Sequence, residues 1–308
     1  MGPTLQQRRL RTRGLRFPVR YLRRLFRPLI RERRTLPGIL SWIGLATLLG
    51  FIFIGVFAPV LVPVEQTNAL AYPILLPPSA QHWMGTDGIG RDVFARVIWG
   101  ARTSLTIMAI GALLALVVGF PIGLFSGYVG GWVDRALVLV MDSVYAFPGL
   151  LLAALIAAVI GKGIFNIGIA ITVIYIPLYF RVTRSQTLST REELYVEAAR
   201  ALGARSWTIM LRYIAFNVII VIPVIFSLSA ADTILTAAGL SYLGLGLEID
   251  IPGDWGRDLS DAQKYLVSGY WWTSLFPGLM IILLTIGLSF LGEGLNDIIN
   301  PLLRKERS

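Results

Sequence analysis

The sequence predicts an all-α polytopic membrane protein with six spanning helices. Three observations carry this. Hydrophobic residues make up 55% of the 308, and charged residues only 15%. Soluble domains carry about 25% charged residues. Mean hydropathy is +0.69. The apolar residues fall in six long runs, and the basic residues fall mostly on one side of them. A bilayer is the solvent that such a chain needs. A cytosolic enzyme, a disulfide-stapled secreted domain and a disordered chain are excluded. Cysteine is absent, which removes disulfides, thiolate nucleophiles and Cys-ligated metals.

The first element is a basic arm, residues 1–38, expected in the cytoplasm. Residues 1–34 hold 12 Arg and one acid, Glu32, a charge of +11 against +10 for the whole chain. A basic arm can bind nucleic acid. Here an apolar run follows at once, so the arm is read as an orientation signal that contacts lipid headgroups, with no nucleic-acid partner. The predicted spans are 39–62, 105–125, 136–160, 164–184, 213–240 and 272–291, within a transmembrane domain 39–303. The first is too long for a signal-peptide core and reads as an uncleaved anchor. With the N-terminus inside, 22 Lys and Arg lie on cytoplasmic segments and 6 outside. Both termini are then cytoplasmic, including the tail 304–308.

In the second span Gly111, Ala115, Gly119, Gly123 and Gly127 recur every four residues. They form a smooth stripe on which another helix can pack closely. Asp142 and Asp232 lie inside the third and fifth spans. Intramembrane charges are costly and face a cavity, a partner or a bundle interior. The two acids are candidates for the translocation path or an inter-subunit contact, against a packing role. For Asp142 the packing role is favoured, bracing the kink expected at Pro148.

Between the fourth and fifth spans, residues 185–212 are polar enough to leave the membrane and periodic enough to be helical. Thr190 and Glu193 have capping-box spacing, predicting a helix start near Arg191. Tyr195, Ala198, Ala199 and Leu202 share one helical side. Glu197 and Arg200 are spaced as an i,i+3 pair. Gly203 predicts a break. The physics alone leaves two readings open, a helix lying on the membrane surface or a helix that docks a protein. The outer loop Leu247–Tyr270 has net charge −3 and contains Asp254 and Trp255. It is either a docking surface or an ordinary solvated loop.

Glu197-Ala198-Ala199 followed by Gly203 resembles the EAAxxxG signature of permease subunits in ABC importers. His82–Leu105 (HWMGTDGIGRDVFARVIWGARTSL) resembles the GTDxxGRDxxxRxxxGxRxSL block of the dipeptide/oligopeptide/nickel permeases. GLSYLGLG at 239–246, WWxxxxPG at 271–278 and LGEGLNDIINP at 291–301 resemble the end of the same subunits. The six spans, the long first outside loop and this ending resemble the C-type subunit. The chain departs from the pattern at Ala215-Phe216, where the family often has Leu-Pro, and at Glu293, Asn296 and Asn300.

The resemblance implies a type I ABC importer permease bundle with a cytoplasmic coupling helix. Glu197, Ala198, Ala199 and Gly203 would couple it to the ATPases. It implies four kinds of partner: a homologous B-type permease, two ABC ATPase subunits, an extracytoplasmic binding protein docking near Asp254 and Trp255, and membrane lipid. The location implied is the cell membrane of a bacterium or archaeon. Peptides are the implied cargo, with oligosaccharides and nickel as alternatives. An ion-coupled secondary transporter using the two intramembrane acids is the rival class.

No catalytic residue and no metal site is expected. Gly161-Lys162 is followed by Gly163 and not by Ser or Thr, so the phosphate-cradling loop is absent. ATP and Mg2+ are therefore expected on the partner ATPases and no cofactor on this chain. The lone His82 reads as structural.

Overall fold

A computed structural model describes residues 34–68, 70–248 and 251–299. Most of the basic arm and the tail 304–308 lie outside these residues. All long elements among the described residues are helices, and the one β-bridge joins Thr86 and Asp92.

Helix α1 spans Leu36–Leu61, with Thr35 accepting from the Gly38 amide and Pro37 in the first turn. Helix α2 spans Val93–Val129 and is capped by Asp92, which accepts from the Ala95 amide at 2.9 Å. Its 37 residues rise about 55 Å, well beyond the roughly 30 Å of a hydrocarbon core. Most of the excess beyond the predicted 105–125 lies at its N-terminal end, residues 93–104.

The predicted third span is two helices, α3 at Gly131–Tyr145 and α4 at Gly149–Ile160, bent by 86°. Hydropathy averages across Ala146-Phe147-Pro148 and so hides the break. Pro148 pushes Phe147 out of helical geometry and becomes the N-cap residue of α4. Helix α5 spans Ile164–Arg191, and α6 spans Leu194–Ala201. The expected capping box does not form. Helix α5 runs straight through Thr190, and Glu193 caps α6 with no side-chain hydrogen bond.

Helix α7 spans Ser206–Tyr242. It contains a π turn at Ile209–Ile214 and a 3-10 turn at Ile219–Val221, just before Pro223. The irregular winding brackets Ala215-Phe216, where the sequence departs from Leu-Pro. Helix α8 spans Trp255–Leu266 and α9 spans Trp272–Ile299. Among the described residues five helices are long and apolar enough to cross a membrane, or six if the bent pair counts as one span.

Helices α2 and α5 form the most extensive helix pair, and the small-residue stripe is their seam. A Cβ on Gly119 would sit 2.7 Å from the Tyr179 Cβ, and one on Gly123 2.6 Å from the Phe180 carbonyl oxygen. Without a hydrophobic drive between helices in lipid, such close backbone approach is what holds them together. A second seam joins α1 to α9, where a Cβ on Gly287 would sit 2.6 Å from Thr47. Val60, Val117, Leu155 and Val159 are exposed on the outside of the bundle. Lipid solvates such side chains where water would not.

Candidate functional site

The apolar hold on helix α6 comes from two side chains. Val196 and Ala199 are buried against Leu124, Ile209, Met210, Ile214 and Val218. The stripe expected from the sequence differs. Tyr195, Ala198 and Leu202 are exposed, because the supporting wall is met by the 196/199 side of so short a helix. Leu194 is 81% exposed and Leu202 88%, with Glu197 and Ala198 exposed beside them. The expected Glu197–Arg200 ion pair does not form within 4.0 Å, which leaves Glu197 free of ion pairs among the described residues. Its charge lies in the first turn, where the helix dipole favours an acid.

The end of α6 bears out the break at Gly203. Its φ is +78°, a region open to glycine. The Gly203 amide donates to the Arg200 carbonyl and the Ala204 amide to the Ala199 carbonyl, both at 3.0 Å. These two bonds make a Schellman cap. Tyr195 accepts from Asn217 Nδ2 at 2.8 Å and ties α6 to α7.

Sequence reasoning missed the brace beneath this helix. Arg184 makes a two-pronged contact with Asp134, 2.6 Å on each prong, and Ser126 Oγ donates to the same carboxylate at 2.6 Å. Arg191 Nη1 donates to the Gly127 carbonyl at 3.1 Å, at the C-terminal end of α2 where a cation suits the dipole. The ends of α2, α3 and α5 are thereby locked next to α6. Arg184 and Asp134 are 50 residues apart, so no local period marks them.

At the opposite end of the bundle, Asp254 and Trp255 are 6% and 1% exposed. Neither side chain offers a surface to a partner, which corrects the expectation for this pair. Asp254 caps α8, accepting from the Gly256 and Arg257 amides. The Trp255 indole donates to the Val97 carbonyl at 3.1 Å and packs edge-on against Phe51. Burial, joined by the charge of Asp258, pushes the Asp254 carboxyl above its usual range, against the Ser241 hydroxyl, the Arg257 amide and Arg96.

The GTDxxGRD block supplies the counterpart. Arg96 holds Asp258 through Nε at 2.7 Å and the Pro252 carbonyl through Nη1 at 3.1 Å. Arg91 bridges Asp87 at 2.5 Å and Asp261 at 3.3 Å. Burial alone would lower the Arg91 pKa, but Asp258, Asp87 and Asp261 outweigh it and raise it. His82 is a structural residue here. Its Nδ1 lies 2.7 Å from Asp92, and its ring meets Tyr72.

Inside the membrane the two acids differ. Asp142 is paired with Arg181, whose Nη2 donates at 2.6 Å while the guanidinium covers Tyr145 at 4.0 Å. The expected brace at Pro148 is not what Asp142 makes. A carboxylate has no proton to give the carbonyls that a proline frees, so it accepts from Arg181 instead. Asp232 has no ion pair or hydrogen bond among the described residues, and it lines a cavity of about 280 Å³ with Tyr175, Thr236 and Phe147.

A presented helix in a loop between two late spans, on a six-segment bundle, is the arrangement that the EAAxxxG resemblance implied. The family model for "Binding-protein-dependent transport system inner membrane component" matches residues 119–305, more than half of the chain. The chain belongs to this family. It is 38% identical over 265 residues to the dipeptide transport system permease protein DppC of Alkalihalophilus pseudofirmus, covering 86% of each. It is also 38% identical over 262 residues to the glutathione transport system permease protein GsiD of Pectobacterium atrosepticum, covering 85% of this chain and 86% of that one. GsiD of an Escherichia coli strain is 37% identical over 254 residues.

The chain is thus a DppC/OppC-like permease subunit of an ABC importer, a multi-pass and non-catalytic membrane component. The geometry of this permease separates three features. Helix α6 offers an exposed face on a braced platform. The α8 end is closed by buried ion pairs. The cavity at Asp232 holds the intramembrane acid that, unlike Asp142, has no ion pair among the described residues.

Proposed function

We propose that this permease forms, with a homologous second permease, the membrane path of an ATP-driven importer of di- and oligopeptides. The observation that carries the reading is α6. Its Val196 and Ala199 are spent on the bundle, while Leu194, Glu197, Ala198 and Leu202 face outward as a compact apolar and acidic patch. Two ATPase subunits, holding the ATP and Mg2+, would seat one such helix each. Closure of the ATPases would drive α6 as a lever, and the brace of Arg184, Asp134 and Arg191 would pass that movement into α2, α3 and α5. A rigid-body change of this kind suits a bundle of packed helices.

The α6 end, with both termini, is assigned to the cytoplasm. The bias of 22 basic residues to 6 supports this. The α8 end then faces the binding protein. A partner there would meet the exposed residues of α8 and not Asp254 or Trp255 themselves. Peptide cargo rests on the dipeptide and glutathione systems to which the relatives belong.

The test is to tag the chain, extract it from native membranes in mild detergent and identify its companions by mass spectrometry. A second permease, ATPase subunits and a binding protein are expected. The reconstituted assembly should take up dialanine only with ATP and the binding protein. A chain recovered alone, or uptake that persists without ATPases, would overturn the reading.

A further inference from the structure

We infer that Asp232, Thr236 and Tyr175 form a site inside the membrane for the ammonium group of the cargo. This rests on the peptide-importer reading above and assigns that importer a recognition group within the permease itself. Asp232 lies about 15 Å along α7 from its end at Tyr242, close to the middle of the bilayer. An ionised side chain at that depth is expensive, and such residues normally find a partner. Asp142 has done so with Arg181. Asp232 has not, among the described residues, and it borders a cavity of about 280 Å³.

The lining has the chemistry of an alkylammonium site. It contains one acid and no base. Thr236 follows Asp232 by one helical turn, and its Oγ1 lies 3.3 Å from the Tyr175 hydroxyl, which reaches across from α5. The carboxylate and these two hydroxyl oxygens are three acceptors, and an ammonium has three N–H donors. The rings of Phe147 and Tyr175 line the same space, and aromatic faces attract a cation. Val144, Leu150, Leu152, Ile174 and Leu178 add apolar surface that places no demand on a side chain, and the ring of Tyr145 lies beside them. The site would therefore recognise what peptides with free N-termini share and ignore where they differ.

The cavity also sits at the break between α3 and α4, since Phe147 and Gly149 belong to its wall. Irregular backbone at membrane depth is tolerated where it lines such a space.

The test uses the importer purified with its partner subunits and reconstituted in proteoliposomes, with dialanine and saturating binding protein. Asp232→Asn should lower uptake at least about tenfold, the scale of a lost charge-assisted hydrogen bond. ATP hydrolysis stimulated by the loaded binding protein should persist in that variant. Asp232→Glu, which keeps the charge, should recover most of the uptake. Wild-type uptake by Asp232→Asn would overturn the inference while leaving the peptide reading intact. Loss of the second permease during purification of that variant would overturn it too, assigning Asp232 to the subunit interface. A wild-type assembly that does not move dialanine would remove the peptide reading and the inference with it.

Discussion

At the α8 end, Arg91 and Arg96 reach two aspartates, Asp261 and Asp258, across more than 150 residues of sequence, Trp255 and Trp272 are buried, and their indole N–H groups are satisfied by backbone carbonyls. At the α6 end, eight residues rest on Val196 and Ala199, add one hydrogen bond through Tyr195, and turn their other side chains outward. One end is closed by long-range polar contacts that permit few other arrangements. The other presents a face and keeps its own tether small. The proposed importer would use both: a firm outer end, and a short element that an ATPase subunit could grip and move. The short helix with the exposed face is thus tethered by fewer contacts than the α8 end.

The closed end gives the largest expected effect. Asp258→Ala leaves Arg96 buried without its partner. It should destabilise the protein by about 3–5 kcal/mol, the usual penalty for an orphaned buried charge. Thermal unfolding of the detergent-purified assembly would show it. Replacing Arg96 and Asp258 together by leucine should recover much of the loss, and no recovery would mean that the pair does more than cancel charge.

The seam between the ends comes next. Gly123→Leu forces a side chain against the Phe180 carbonyl and should cost about 1–3 kcal/mol. The same substitution at Gly131, which has open space around its Cβ position, would meet no such clash. Its φ of +67° would still strain a leucine, so Gly50, with open space and a helical backbone, is the cleaner control. Gly123→Leu should lower Tm and Gly50→Leu should not.

A smaller effect is a pH dependence at Asp254. A carboxyl whose folded pKa lies above its unfolded value contributes stability that is full below the unfolded pKa. That contribution is lost as pH rises through the folded one. The raised pKa of Asp254 therefore predicts a fall in Tm as pH climbs from about 4. Asp254→Asn keeps an N-cap acceptor without the charge. Its Tm should lack this fall and should match or exceed the wild-type value at neutral pH.

The smallest effect on stability belongs to the presented face. Glu197→Arg should change folding by no more than about 0.5 kcal/mol, because the side chain is exposed and unpaired. It should still abolish uptake while the protein inserts normally. Normal uptake by Glu197→Arg would remove α6 from the coupling role.

Much of the architecture was legible. Hydropathy located five long apolar helices and one bent pair, because a bilayer demands about 20 apolar residues per crossing. The four-residue recurrence from Gly111 to Gly127 located a seam, because that spacing keeps one helical face smooth. Gly203 marked the end of α6 because the backbone there needs a positive φ. The break at 146–148 was hidden by averaging. The capping box failed because Thr190 was already inside the continuing α5. The buried side of α6 was misjudged because Val196 was not placed on the stripe. Asp254 and Trp255 looked like loop residues, since nothing in the local sequence shows that they fold inward onto α2.

Sequence by itself determined the solvent, the number of apolar segments, the family and the position of the α6 segment. Each is a local property, read from composition or from residues within a few turns of one another. Tertiary structure alone decided that Asp142 meets Arg181 while Asp232 meets an open cavity. It also decided that Arg96 finds Asp258 and that Arg184 braces α3. These pairings join residues 39–162 positions apart. Charge complementarity over that range has many solutions in a sequence, and only the packed bundle selects one.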